Sequence, residues 1–218
     1  MNCLLCQSSQ THSFIVQKKP EKNYFICQNC DVIAMHPSQR LSAFEERQRY
    51  DLHREAAGEG HRAFLSPLLQ SLNEILQTTQ SATKPLTALD YGCGPSAILS
   101  QLMQQEGLQT SHYDPFYFPD TSVLERTYHV VTATEVWEHF YNPAQSISVM
   151  IHLLRPRGLL GIMTSAHKGE AAFHDWHYRR DPTHVTFYSE RTMKWLAETF
   201  QLRILKAQSP YWIFQKSV

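Results

Sequence analysis

Apolar positions along this chain change period from one segment to the next. Near the N-terminus, Phe14-Ile15-Val16 and Tyr24-Phe25-Ile26 flank the polar stretch Lys18-Lys19-Pro20-Glu21-Lys22. Short aromatic and β-branched runs on either side of a polar turn predict a hairpin with strands at 13–17 and 23–27. Pro37 and Ser38 end that unit. Residues 41–52 are charged and predicted helical, and 56–60 read as a hinge or loop. Phe64, Leu65, Leu68, Leu69, Leu72, Ile75 and Leu76 recur at helical spacing. Pro67 is placed near the start of that helix, where its missing N–H costs little. Residues 78–85 read as a polar linker. From Leu86 the pattern alternates. Strands are predicted at 86–91, 108–114, 129–134, 159–164, 202–207 and 211–215. Helices are predicted at 97–106, 143–154 and 189–200, the last capped by Ser189.

Alternating strands and helices imply an α/β fold with a mainly parallel sheet covered on both faces. The 218 residues, 42% hydrophobic and 18% charged, suit one ordinary domain plus a small module. The expected division is a ribbon at 1–36, a helical linker at 37–84 and the α/β domain at 85–218. Lys+Arg and Asp+Glu both number 20, and that balance argues against nonspecific nucleic-acid binding. The longest uncharged apolar runs, such as 158–166, are too short to span a bilayer. The first residues lack a basic segment followed by a long apolar one, so no signal peptide is read. A cytoplasmic location with no membrane partner is the default expectation.

Of five cysteines, Cys3 and Cys6 form one Cys-x-x-Cys pair and Cys27 and Cys30 another. Cys93 stands alone. In a reducing compartment such paired knuckles read as a zinc site, because the metal takes four tetrahedral thiolates and each knuckle supplies two. A redox pair, or a site that has lost its metal, is the alternative. So short a hairpin buries little core, and bound metal would supply folding energy.

Asp90-Tyr91-Gly92-Cys93-Gly94-Pro95-Ser96 follows the first strand of the α/β region and opens a helix. Glycines there permit a sharp turn and close approach of backbone to a ligand. Asp114, at the end of the next strand, is suited to accept hydrogen bonds from both hydroxyls of a ribose. With Tyr113-Asp114-Pro115, Ala133-Thr134-Glu135-Val136-Trp137-Glu138-His139 and Leu153-Leu154-Arg155-Pro156-Arg157-Gly158, the chain resembles the class I S-adenosylmethionine-dependent methyltransferases over about residues 86–207. The resemblance implies a Rossmann-like doubly wound sheet. It puts Asp90, Gly92 and Gly94 beside the methionine part of S-adenosylmethionine and Asp114 on the ribose. Tyr91, Cys93, Pro115, Phe116 and Glu135 join the cofactor-binding set, with Cys93 read as loop packing rather than a nucleophile. Two departures stand out. Ser96 replaces a frequent third glycine, and the stretch from Asp114 to Tyr128 is too short for the usual helix, strand and helix. The third strand is therefore expected to be shortened or missing, with Phe116, Tyr117 and Phe118 covering the adenine.

Glu135, Glu138 and His139, at i, i+3 and i+4, share one face of a helical turn. With His184 they resemble the ligands of metal-dependent O-methyltransferases, which implies a second divalent site for Mg²⁺ or a similar ion. The alternatives are His139 or His184 as a catalytic base, with Glu135 beside it, or a structural role. The insertion at 167–187 carries His174, Trp176, His177, Tyr178 and Arg179. It reads equally as a substrate lid or as a packed cover. The expected activity is methyl transfer to the oxygen or nitrogen of a small molecule. A ribosomal or transfer RNA methyltransferase gripping RNA through the ribbon is one alternative. A noncatalytic cofactor-binding or protein-docking module is the other.

Overall fold

A computed structural model describes every residue except 20, 52–58 and 80–84. Strands β1 (Thr11–Val16) and β2 (Lys22–Cys27) pair antiparallel with Phe14 opposite Tyr24, as the flanking apolar runs require. Strand β3 (Ile33–Met35), not foreseen, adds to β2. Helix α1 (Ala43–Asp51) follows. Helix α2 (Glu59–Thr79) buries Leu65, Leu68, Leu69, Leu72 and Leu76 along one stripe. Pro67 lies inside α2 and not near its start, because the helix begins at Glu59. Residues 59 and 60 of the expected hinge are thus helical. The rest of that hinge, and most of the expected linker, fall outside the described residues.

The α/β region comprises β4 (Thr87–Tyr91), α3 (Ile98–Gln105), β5 (Gln109–Tyr113), β6 (Tyr128–Thr134), α4 (Pro143–His152) and β7 (Leu154–Met163). It continues through α5 (Glu170–Phe173), β8 (Thr186–Phe187), α6 (Glu190–Thr199), β9 (Leu202–Gln208) and β10 (Tyr211–Lys216). The main sheet runs β5-β4-β6-β7-β10-β9, parallel from β5 to β7 and antiparallel at β10 and β9. Successive strand residues face opposite ways. Val131, Leu160 and Trp212 accordingly enter a core with α4 and α6, while Val130, Leu159 and Ile213 enter another with α2 and α3. Apolar runs covered on both faces are the physical reason for the fold. Between β5 and β6 there is only a one-turn 3-10 segment, Thr121–Glu125, so among the described residues β5 is a sheet edge and the expected third strand is missing.

The insertion after β7 departs most from expectation. Strand β8 adds to β3, with Ile33 opposite Phe187, and completes a four-stranded sheet β1-β2-β3-β8. The ribbon and the α/β region therefore share a sheet across the division expected at residue 36. Phe173 and Phe187 pack edge-on at 4.9 Å, and Phe173 meets Tyr24 at the same distance. Phe14, Val16, Ile33 and Met35 fill the rest of that cluster. The second cysteine knuckle docks on the start of α6. Ser189 Oγ donates to Asp31 Oδ2 at 2.5 Å, His167 Nε2 to the Asp31 carbonyl at 2.9 Å, and Arg191 to the Gln28 and Asn29 carbonyls. A carboxylate at a helix N-terminus is favoured by the exposed N–H groups there.

Phe173 is completely buried in this junction. Phe173→Ala is expected to lower unfolding free energy by about 3–5 kcal/mol in urea titrations. A loss under about 1 kcal/mol would contradict the account of the insertion as core.

Candidate active site

The C-terminal ends of β4, β5 and β6 open on a cavity of about 670 Å³, where ligands collect in open α/β sheets. Gly92 has φ +75, and a Cβ there would lie 2.5 Å from a Val136 methyl. The amides of Gly92 and Cys93 both reach the Tyr113 carbonyl, at 2.7 and 3.1 Å. Gly94 has φ +63 with open space before it. Ala97 takes a left-handed conformation (φ 44) to start α3. Glu135 does the same (φ 53) at the end of β6. Such backbone in non-glycine residues is uncommon and tends to mark functional sites.

Of the residues expected to hold the cofactor, all but Phe118 line this cavity, and so does His139; Phe118 packs edge-on against His112 at 4.5 Å instead. Asp90 is braced from both sides. Thr132 Oγ1 donates to Oδ1 at 3.1 Å and the Ser100 amide to Oδ2 at 3.2 Å, while burial pushes its carboxyl up to about 7. Asp114 accepts from the amides of Phe116 and Tyr117 on Oδ1 and of Gly94 on Oδ2. It thereby ties the glycine loop to the Asp114–Tyr117 turn and leaves Oδ2 a lone pair.

Behind the cavity lies a buried acid pair. Tyr178 Oη is 2.6 Å from Glu138 Oε1 and 3.1 Å from Glu135 Oε2. A phenol has one hydrogen to give, so satisfying both contacts requires a proton on one carboxyl. Burial, reinforced by the Glu138 charge, raises Glu135 to about 8, and burial raises Glu138 to about 7. His139 Nδ1 donates to the Thr183 carbonyl at 3.0 Å and His184 Nδ1 to that of Tyr178 at 2.7 Å. Each Nε2 is then left with a bare lone pair. Burial lowers both imidazoles to about 4, and His139 lowers His184 further.

Glu138, His139 and His184 come within 4.8 Å of one another, whereas Glu135 stays outside that group. Mg²⁺ does not fit here. It wants oxygen ligands and keeps several waters, but this set holds two imidazoles and a carboxylate with 0% exposure. His184 does not line the cavity; its ring lies 4.8 Å from that of His139. The residues expected on the acceptor are absent from the lining as well. Tyr178 and Arg179 are buried, Trp176 packs on Tyr178 at 5.0 Å, and Arg179 bonds the His174 carbonyl. Here the insertion packs as a cover, with His177 exposed on its outer side. Glu46 and Tyr50 of α1 line the cavity instead, joined by a 2.7 Å hydrogen bond. Their i, i+4 spacing on a charged helix was the available signal.

The four N-terminal cysteines also converge. Cys3 and Cys30 sulfurs are 3.5 Å apart, as are those of Cys6 and Cys27, and all four lie within 4.8 Å of one another. That exceeds a disulfide's ~2.05 Å and approaches the ~3.8 Å edge of a ZnS₄ tetrahedron with bonds of about 2.3 Å. Amides of Leu5 and Cys6 donate to Cys3 Sγ, as thiolate ligands require. The donor set fits zinc.

A family model described as "Methyltransferase domain" matches residues 49–207. The chain belongs to that methyltransferase family. Its fold is the Rossmann-like one of the class I enzymes that use S-adenosylmethionine. Among solved structures, an O-methyltransferase family protein from Burkholderia thailandensis is 16% identical, with TM-score 0.54 over 83% of this chain. The chain spans 65% of that protein's length. The same organism's 1,6-didemethyltoxoflavin-N1-methyltransferase is 13% identical, with TM-score 0.48 over 95% of this chain and 100% of that one. The plantazolicin methyltransferase BpumL is 14% identical, with TM-score 0.49 over 80% and 90%. No curated protein matches the chain in sequence. No helix among the described residues is long and apolar enough to cross a membrane.

The acid pair makes stability depend on pH. Carboxyls raised from 4.5 to about 7 and 8 contribute stability that is complete below pH 4.5 and lost as the pH rises through 7 and 8. Glu138→Gln should therefore gain on the wild type between about pH 5 and 8, by about 1 kcal/mol per unit at the steepest, and level off above. Urea midpoints across that range measure it, and a constant difference would refute the shared-proton arrangement.

Proposed function

We propose that this protein moves a methyl group from S-adenosylmethionine to the oxygen or nitrogen of a small molecule held on the His139 side of the cavity. One observation carries the reading. A single cavity extends from the Gly92–Gly94 loop and Asp114 to His139, whose Nδ1 is occupied by the Thr183 carbonyl and whose Nε2, without a hydrogen bond among the described residues, lies 4.0 Å from Glu138 Oε1. When bound, the cofactor supplies an electrophilic methyl on sulfur. The chain's own part is alignment and exclusion of water, which account for much of the rate in such displacements. Gly92 and Gly94 let the backbone come close to the methionine portion, and Asp114 Oδ2 accepts from ribose hydroxyls. Phe116 flanks the adenine. His139 Nε2 takes the proton that the acceptor atom sheds as its new bond to carbon forms and the carbon–sulfur bond breaks. Burial keeps this imidazole neutral near pH 7, so its resting form is the base.

The ribbon's role in this reading is structural. Zinc on Cys3, Cys6, Cys27 and Cys30 holds the knuckles that seat on α6, and β3 holds β8. Metal analysis of the purified protein should find one zinc per chain, and none would sink this part. Calorimetry with S-adenosylhomocysteine tests the cofactor site: Asp114→Ala should weaken binding by about tenfold or more. Equal, negligible affinity in wild type and variant would overturn the methyltransferase reading.

A further inference from the structure

The cavity is one-sided in charge. Glu46, Asp90, Asp114 and Glu135 line it, and among the described residues no Lys or Arg does. Three of these carboxyls have protein partners already described: Asp90 braces α3 and β6, Asp114 caps the glycine loop, and Glu135 shares a proton with Tyr178 and Glu138. Glu46 differs. It is 9% exposed, its Oε1 accepts only the Tyr50 hydroxyl, and its Oε2 has no hydrogen bond within the described protein. Two arginines near it in sequence are engaged elsewhere. Arg40 bonds the Met35 and Tyr141 carbonyls and stacks on the Tyr141 ring, while Arg49 pairs with Asp181. A carboxyl removed from water without a cation is costly, and burial accordingly raises its pKa. Its charge also reaches the Tyr141 phenol, which burial and then Glu46 push up to about 12.

The Tyr50 hydroxyl bonds this carboxyl, and the Tyr141 phenol lies within reach of its charge. Tyr50, Phe116 and Tyr141 line the same cavity. The Tyr50 ring lies 5.7 Å from Phe116 and 5.3 Å from His139, so the Glu46–Tyr50 pair borders the proposed base. Ring faces attract cations, and most strongly where water is excluded. A phosphate or carboxylate placed here would meet carboxyls and, among the described residues, no Lys or Arg.

We propose that the acceptor carries a cationic group, a protonated amine or other ammonium apart from the methylated atom, recognised by Glu46 between the rings of Tyr50 and Tyr141. This rests on the methyltransferase reading above and assigns its substrate class. The test uses the full-length protein saturated with S-adenosylhomocysteine, near neutral pH. Phenethylamine, phenethyl alcohol and phenylacetate keep one ring and vary the charge, and ligand-observed NMR titration reads their affinities. Phenethylamine should bind about tenfold or more tightly than phenylacetate, with the alcohol between. Glu46→Gln should bring that ratio below about threefold. Phenylacetate binding as tightly as phenethylamine, no binding of phenethylamine, or an unchanged ratio in the folded variant would overturn the proposal. Should the variant not fold, the wild-type ratio decides alone. S-adenosylhomocysteine affinity, measured first by calorimetry, separates the two levels: normal cofactor binding without charge discrimination refutes the cationic acceptor only.

Discussion

Strand β8 is two residues long, yet its neighbourhood bonds in two directions. On one side Thr186 and Phe187 pair with Ala34 and Ile33 of the ribbon, and the Val185 carbonyl receives the Met35 amide. On the other, the Val185 amide reaches the Glu138 carbonyl, Thr186 Oγ1 the Phe140 carbonyl and Tyr188 Oη the Trp137 carbonyl. The second set holds the turn that presents Glu135 and His139 to the cavity. A displacement of the ribbon sheet would therefore pull on the turn carrying the proposed base. Buried backbone groups must be paired, and here the pairing links two units that composition alone would separate.

The aromatic cluster follows from the same constraint. Phe173, Trp176, Tyr178 and Phe187 are too large to leave in water. The ribbon face of Phe14, Tyr24 and Ile33 is too small to be a core by itself. Each covers the other. Tyr178 serves both sides, since its ring packs in that cluster while its hydroxyl reaches the acid pair. The insertion packs behind the cavity, where it holds Glu135, Glu138 and His139.

Electrostatics divide the cavity in a comparable way. Around the glycine loop the carboxyls are satisfied by amides and a hydroxyl, which makes them scaffolding as well as lining. Near α1 the Glu46 carboxyl has, among the described residues, one bond and no counter-ion. A protein bears that cost most readily where a ligand offsets it, which is why the α1 side differs in character from the loop side.

Much was legible in local pattern. Period and turn residues separated the strands from the helices, the short interval before Tyr128 announced the missing strand, and the glycine loop and cysteine knuckles declared their chemistry by spacing. These features depend on residues near one another in the chain, where steric and hydrogen-bonding rules act directly. Pro67 misled because a proline inside a helix is rare and a helix start is the commoner place for it. The insertion was ambiguous because aromatics and histidines in a loop suit either a lid or a core. Only partners distant in sequence decide between these: Asp31 meets Ser189 across 158 positions and Glu135 meets Tyr178 across 43. Glu46 was hard to single out for the same reason, since an i, i+4 Glu–Tyr pair on a charged helix is ordinary until the helix is laid over a cavity. The sequence by itself determined the secondary elements, the α/β class and the cofactor loop, because short-range sterics and periodicity specify them. Only the tertiary structure decided which side chains line the cavity, because burial and pairing across the fold select them.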